Sequence, residues 1–350
     1  MNTPWLTLDL DRLDRNVNRM RDRMAGLGVS LRPHMKTAKS IDVAKRVLEP
    51  GQGITVSTLA EAEYFAAHGI TDILYAVGVT PSKLGTAADL RHQGVDLQVV
   101  VDSLEAAAAC VGNHRVWIEV DCDGRRGGVT PDGRALLSIA GVLGDSLAGV
   151  MTHAGGAYGC RGEVQIRAFA ERERLAVTTA ATVLRGAGHR CAGVSVGSTP
   201  TATFAEHLTG VTEARPGVYM FMDLFQAGIG VCDLDDIALS VTASVIGHRA
   251  DGFVIDAGAL ALSLDRSTSQ LPEDLGYGLV LGSEGRRLGV VERVTQEHGI
   301  VVPANGDVPP IGAVLSVLPN HACITAAGHE SYQVMSGGER IGTWKRATGW

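Results

Sequence analysis

Val29-Ser30-Leu31-Arg32-Pro33-His34-Met35-Lys36 alternates apolar and polar side chains and ends on a lysine. A period of two marks a strand with one buried face. Just upstream, within residues 11–28, Leu13, Val17, Met20 and Met24 recur at spacings of four, three and four, which predicts an amphipathic helix. Downstream, Ser40–Leu48 reads as helix again. Outward from Lys36 the alternation continues. Strand-like runs occur at Ile54–Thr58, Ile73–Val77, Leu97–Asp102, Val116–Asp121, Leu147–His153, Gly193–Ser198 and Arg215–Phe221, making eight with the first. Helix-compatible segments, such as Leu59–His68, Pro81–Gln93, Ser103–Cys110 and Gly162–Leu184, separate most of them. Eight strands alternating with helices predict an α/β fold of the (β/α)8 TIM-barrel type; the competing architecture is a doubly wound open sheet.

The texture changes after about residue 230. Short runs rich in Val, Ile and Leu follow at Ser240–Ile246, Gly252–Asp256, Gly289–Val294, Ile300–Val302, Ala313–Leu318 and Gln333–Ser336. Turn signals at Asn305-Gly306-Asp307 and Ser336-Gly337-Gly338 lie among them. The sequence therefore predicts a barrel over residues 8–232 and a C-terminal β-rich domain over 233–350, which residues 1–7 join.

Bulk properties narrow the function. The 350 residues carry a net charge of −7, with 45% hydrophobic and 20% charged residues, as in soluble globular proteins. That balance points away from nucleic acid and anionic membranes as partners. No apolar run approaches the roughly 20 residues of a membrane helix. Met1-Asn2-Thr3-Pro4-Trp5 lacks the features of a secretory signal, and the six cysteines are scattered, so a cytoplasmic protein with reduced thiols is expected.

Barrel enzymes carry their reactive groups at the C-terminal ends of the strands. Polar residues gather at those predicted ends: Lys36; Asp121 and Arg126; His153 and Tyr158; Ser198-Thr199-Pro200-Thr201; and Arg215-Pro216-Gly217-Val218-Tyr219. The loops after the seventh and eighth strands of such barrels commonly bind phosphate, and Gly197-Ser198-Thr199 with Gly217-Val218 offers hydroxyls and closely approachable amides. By itself Gly-Ser-Thr-Pro is more often only a turn. Lys36 shares a strand face with His34, and a desolvated lysine beside cationic groups suits Schiff-base chemistry. Lys39, one helical turn on, reads as a helix-surface charge.

These pieces resemble the D-serine dehydratase and D-threonine aldolase group of pyridoxal-phosphate (PLP) enzymes, fold type III, with the alanine-racemase-type barrel. The matching segments are Leu31–Thr37, Val56–Glu63, Asp121 with Arg126–Val129, Thr152–Gly155 with Tyr158, Gly197–Thr201, Arg215–Tyr219 and Pro319–Cys323. They occur in family order and span nearly the whole chain. The resemblance implies that Lys36 carries PLP and that Arg126 lies near the ring's phenolic oxygen. It places Ser198, Thr199, Gly217, Val218 and Tyr219 around the phosphate, has His153 and Tyr158 lining the ring, and implies a homodimer. Arg215 falls where racemases set an arginine against the pyridine nitrogen; the alternative is that it turns to Glu213 or Asp223.

The resemblance also implies a metal on His321 and Cys323. An imidazole and a thiolate suit Zn²⁺, and two protein ligands leave positions for water or substrate. If the strand Ala313–Leu318 continues, residues two apart share a face. His-x-Cys is the dehydratase pattern; aldolases of the group more often show His-x-Asp, with Mn²⁺ or Mg²⁺. The expected reaction converts a small β-hydroxy D-amino acid, D-serine or D-threo-3-hydroxyaspartate, to a 2-oxo acid and ammonia. Lys36 would be the base at Cα and the metal a Lewis acid at the β-oxygen. The same parts permit retro-aldol cleavage to glycine and an aldehyde. Racemisation would need a second base, for which Tyr277 and Tyr332 are the C-terminal candidates, and a non-catalytic PLP-binding protein is the fourth reading. Asp265, Arg266, His298 and His329 are further pocket candidates with equally good packing roles. The segment Asp256-Ala257-Gly258-Ala259-Leu260 lacks a lysine often found after Asp-Ala-Gly in relatives.

Overall fold

Strand β1 (Trp5–Asp9) runs directly into helix α1 (Leu10–Gly26), where Leu13, Val17, Met20 and Met24 are all buried, as their spacing requires. The computed structural model describes residues 2–112, 114–282 and 285–350. It divides into two units, one formed by Arg19–Gly217 with Gly349–Trp350, the other by the chain up to Asn18 with Val218–Thr348.

The first unit is the barrel. Its strands are β2 (Ser30–Leu31), β3 (Ile54–Val56), β4 (Asp72–Gly78), β5 (Asp96–Val101), β6 (Arg115–Glu119), β7 (Leu147–Met151), β8 (Gly193–Val196) and β9 (Glu213–Ala214). All pair in parallel, in the order β2-β9-β8-β7-β6-β5-β4-β3. Closure comes from the chain just past β2: the Thr55 N–H donates to the Pro33 carbonyl at 2.9 Å, and the Met35 N–H to the Thr55 carbonyl at 2.8 Å. Helices α2 (Ile41–Val47), α3 (Leu59–Ala67), α4 (Leu84–His92), α5 (Leu104–Cys110), α6 (Arg134–Leu143), α7 (Glu163–Gly186) and α8 (Thr199–Phe204) follow successive strands. Side-chain caps start several of them; Thr58 accepts from the Glu61 amide and Ser103 from the Ala106 amide.

Two glycines shape the core. A Cβ on Gly193 would come within 2.3 Å of the Trp117 ring, and one on Gly149 within 2.2 Å of the Gly193 carbonyl oxygen. Their bareness gives Trp117 room in a cluster with Leu74, Val100, Ala148 and Met151. A polar column crosses the same interior. Trp117 Nε1 donates to Gln98 Oε1 (2.7 Å), and Gln98 Nε2 donates to Asp72 (2.9 Å). Arg32 grips Asp72 through both terminal nitrogens (2.9 and 3.0 Å) and Glu213 through Nε (2.8 Å).

The end strands are shorter than the sequence runs predict. The first stops at Leu31, and Lys36 sits in a turn beyond it. The last stops at Ala214, because Pro216 has no N–H to carry the ladder on; Val218–Met220 forms a 3-10 turn instead. Helices α6 and α8 are additions that the sequence reading did not anticipate.

The second unit is a nine-stranded, mostly antiparallel sheet. It comprises β1, β10 (Leu239–Arg249), β11 (Gly252–Ile255), β12 (Leu279–Leu281), β13 (Arg287–Val294), β14 (Gly299–Pro303), β15 (Val314–Leu318), β16 (Ser331–Ser336) and β17 (Glu339–Lys345), ordered β11-β14-β13-β12-β15-β10-β1-β16-β17. Strand β1 lies antiparallel to β10 and parallel to β16. Gly337 (φ 58) and Gly338 (φ 82) join β16 to β17 in a two-residue hairpin that needs positive φ at both positions. Short helices α9 (Leu224–Gly228), α10 (Ala259–Leu262) and α11 (Ala322–Ala327) decorate the sheet. No helix among the described residues is long and apolar enough to cross a membrane.

Candidate active site

The turn bearing Lys36 is fixed on both flanks. The His34 N–H donates to the Pro216 carbonyl (3.0 Å), and the Lys39 N–H closes the turn on Met35 (2.8 Å). Gly217 lies so near that a Cβ there would stand 3.0 Å from the His34 carbonyl oxygen. The Lys36 turn and the Arg215–Gly217 segment are thus packed backbone to backbone.

Lys39 departs from expectation. It is no helix-surface charge: it adopts φ 48, ahead of α2, and its ammonium lies 3.2 Å from the buried carboxylate of Glu61. Glu61 in turn accepts from the Ser57 amide and the Thr58 hydroxyl, each at 3.1 Å.

The barrel brings five residues singled out in the sequence, His34, Lys36, Arg126, His153 and Arg215, into one electrostatic neighbourhood. Burial, then the charges of Lys36, Arg215 and His153, holds the His34 imidazole well below its ordinary pKa. Burial, then Arg126, Lys36 and Arg215, does the same to His153. Both imidazoles are therefore neutral at pH 7. Glu119 answers the guanidinium charge; burial raises its carboxyl while Arg126 pulls it back down. Arg126 itself rides on a loop tied by Asp121 Oδ1, which accepts from the Asp123 (2.9 Å) and Gly124 (2.7 Å) amides, and by Asp102, which accepts from the Gly128 amide (3.0 Å). Tyr158 lies half-buried in the 3-10 turn Gly155–Gly159 that follows His153.

Arg215 turns inward. Its guanidinium donates to the Ser195 hydroxyl and to the Thr152 carbonyl (2.7 Å), and the Ser195 hydroxyl in turn donates a hydrogen bond to Glu213 (2.6 Å). It therefore reaches Glu213 through Ser195, and not Asp223, whose oxygens accept from the Gln226 and Ala322 amides. This joins Arg215 to the Arg32–Asp72–Gln98–Trp117 column. Burial lowers its pKa from the usual guanidinium value, with Glu213, Glu173 and Glu119 opposing the shift.

Ser198 and Thr199 are buried at the start of α8. The Ser198 hydroxyl accepts from the Thr201 amide (3.2 Å) and shares a hydrogen bond with Thr201 Oγ1 (2.8 Å). Beneath this loop lies a residue that sequence reasoning missed. Glu173 of α7 accepts at one oxygen from the amides of Ala154 (2.9 Å) and Gly197 (3.1 Å).

In the second unit Val218 and Tyr219 are buried within the 3-10 turn that opens it. The predicted metal pair does not extend a strand. Strand β15 ends at Leu318, and His321 is the N-cap of α11, which carries Cys323 in its first turn. The side chains still meet, because His321 at the extended N-cap position can fold its side chain over the first turn, where the Cys323 thiol hydrogen-bonds the imidazole. Burial opposes charge on His321, but Cys323, Asp223 and Asp265 outweigh it and hold the imidazole up at about 9. Asp265 Oδ2 lies 3.9 Å from His321 Nδ1. Asn320 fixes that neighbourhood by donating to the Asp265 and Gly276 carbonyls, both at 2.8 Å.

The other C-terminal candidates have structural partners. Arg266 pairs with Asp274 (2.6 Å) over the Tyr277 ring, and His329 bonds the Ala261 carbonyl (2.9 Å). His298 lies against Thr295. Tyr332 is fully buried and accepts from Arg346 (2.8 Å).

The donor set fits PLP, an anion with a phosphate and an aldehyde. A primary amine stands in a field of guanidinium groups, beside glycine-permitted backbone at Gly197 and Gly217. The imidazole–thiol pair fits a divalent ion with open positions. Among the described residues no group of three or more His, Cys, Asp or Glu is arranged to close a metal site.

Comparison with known proteins agrees. The family model for the N-terminal domain of alanine racemase matches residues 8–224, and that for a putative serine dehydratase domain matches residues 238–335. D-threo-3-hydroxyaspartate dehydratase of Delftia sp. (strain HT23) is 48% identical, over 100% of this chain and 98% of its own length. Its solved structure superposes with a TM-score of 0.96 at 47% identity, covering 100% of this chain and 98% of that one. D-serine dehydratase of Dictyostelium discoideum is 30% identical over 97% of this chain and 95% of its own. The structure of D-threonine aldolase from Filomicrobium marinum gives a TM-score of 0.86 at 27% identity, covering 99% and 95%. The chain therefore belongs to the family that joins an alanine-racemase N-terminal domain to a serine dehydratase domain, and it is a PLP-dependent lyase.

Proposed function

We propose that the protein dehydrates a β-hydroxy D-amino acid, D-threo-3-hydroxyaspartate or D-serine, to oxaloacetate or pyruvate with release of ammonia. The observation that carries this reading is the full-length, 48% identity to a D-threo-3-hydroxyaspartate dehydratase. The His321–Cys323 pair supports it, with zinc the ion of choice for one imidazole and one thiolate.

Lys36 would hold PLP, and His321 and Cys323 the metal. When bound, PLP supplies an electron sink at Cα and the metal a Lewis acid for the β-oxygen. Lys36 is the base that takes the Cα proton. Arg126 and Arg215 balance anionic charge beside it, and neutral His153 and His34 leave that proton to the amine. Ser198, Thr199 and Gly217, with Val218 and Tyr219, present the amides and hydroxyls for the phosphate. Tyr158 and His153 line the ring. Six cysteines outside any disulfide support a cytoplasmic setting, and a homodimer follows the family pattern.

Retro-aldol cleavage is the second reading, favoured by the likeness to a D-threonine aldolase over nearly the whole chain. Incubation with D-threo-3-hydroxyaspartate, D-serine and D-threonine separates the two. Equimolar 2-oxo acid and ammonia are expected, with turnover abolished in Lys36→Ala. Glycine as the sole product would establish the aldolase instead, and activity retained in Lys36→Ala would remove Lys36 from the reaction.

A further inference from the structure

Glu173 is a buried carboxylate that the reaction does not use. It is 2% exposed, on the inner face of α7. One of its oxygens, Oε1, accepts from the Ala154 amide at 2.9 Å and from the Gly197 amide at 3.1 Å. Ala154 follows His153, and Gly197 precedes Ser198. The Thr201 hydroxyl bonds the same carboxyl and also the Ser198 hydroxyl at 2.8 Å. A single side chain thus gathers donors from the loop after β7, the loop after β8 and the first turn of α8.

Besides Glu173, the two loops are linked by Arg215, which bonds the Thr152 carbonyl and the Ser195 hydroxyl, and by the His153 imidazole on the Gly197 backbone; of these, Glu173 takes an amide from each loop at one oxygen. Strands β7 and β8 pair only through Gly149–Met151 and Gly193–Ser195, and the ladder has ended before either loop begins, apart from the Thr152 amide on the Ser195 carbonyl. We propose that Glu173 is a positioning residue: it fixes the distance between the His153 loop and the Gly197–Ser198 loop, and so sets how well the barrel grips the phosphate of PLP. The proposal rests on the assignment of those loops to the cofactor. Burial pushes the Glu173 carboxyl upward, with the hydrogen bonds opposing it. Both loop amides meet the same oxygen, so what the loops require is an acceptor at Oε1. Glutamine keeps that oxygen and can present its amide to Thr201; methionine fills the volume without it.

The test is titration of the apo-protein with PLP and, separately, with pyridoxal, followed by tryptophan quenching, with thermal midpoints measured in parallel. Glu173→Met and Glu173→Ala leave two buried amides unpaired and should weaken PLP binding by about tenfold or more. Glu173→Gln should stay within about threefold. Pyridoxal, which lacks the phosphate, should be affected far less than PLP. Equal losses for both ligands, or a lowered midpoint with unchanged PLP affinity, would make Glu173 a stabilising residue only and overturn the proposal. A glutamine variant as weak as methionine would overturn it too. Wild-type protein that binds no PLP would instead bring down the assignment of the loops.

Discussion

Lys39 and Glu61 form an ion pair almost closed to solvent: the ammonium stands 3.2 Å from a carboxylate whose side chain is 1% exposed. Glu61 also holds the Ser57 amide and the Thr58 hydroxyl, so the pair braces the strand-to-helix corner next to the Lys36 turn. Breaking a buried pair from one side is more damaging than removing both partners. Lys39→Met should cost about 3 kcal/mol in urea unfolding, and Lys39→Met with Glu61→Gln should recover part of that loss. No loss in the single variant would show the pair to be idle.

Trp117 depends on the absence of a side chain across the barrel. Gly193→Ala sets a methyl carbon 2.3 Å from its ring. The ring cannot retreat without giving up its bond to Gln98. A loss of about 1–3 kcal/mol is expected, with a shift in Trp emission, readable by thermal melts followed by fluorescence. An unchanged melt would mean that the core yields more easily than its packing implies.

His34 and His153 make the apo-protein acid-sensitive. Their native pKa values lie well below the ordinary 6.5, so the unfolded chain binds more protons than the native one below that pH. Stability is fully present above about pH 6.5 and declines as pH falls, by up to about 1.4 kcal/mol per pH unit for each imidazole. Urea midpoints between pH 7 and 5 should fall less steeply in His34→Asn and His153→Asn. Parallel slopes in wild type and variants would refute the role of these rings.

Metal removal should separate the two cofactors. A chelator, or His321→Ala or Cys323→Ala, is expected to lower dehydration by about a hundredfold or more, since a Lewis acid supplies several kcal/mol at a poor leaving group. PLP affinity of the same proteins should stay within about twofold, because neither side chain is placed among the groups that hold it. Full turnover after exhaustive chelation would end the metal reading.

The barrel was legible because its inner strands are buried on both faces and read as apolar runs, such as Leu147–Met151. Its end strands were over-read, since Arg215–Phe221 looks like a strand until Pro216 removes the donor. Lys39 was misjudged because a positive φ on a lysine leaves no mark in the sequence. Strand β12 escaped notice at three residues, and β17 because its residues are mostly exposed at the sheet edge. Glu173 was hidden within Glu171-Arg172-Glu173-Arg174, a charge run that resembles a solvated face. Only the phase of α7 turns one of the four inward. Likewise His321 and Cys323 were found as a pair while the helix that brings them together was not.

Strand β1 sits between β10 and β16, partners that begin more than two hundred residues later in the chain. During synthesis, Leu6 and Leu8 emerge more than two hundred residues before β10 and longer still before β16. The barrel and most of the following sheet must therefore be synthesised before β1 has both of its neighbours. A β-strand left waiting that long, with both hydrogen-bonding edges bare, is the segment of this protein on which a chaperone would act.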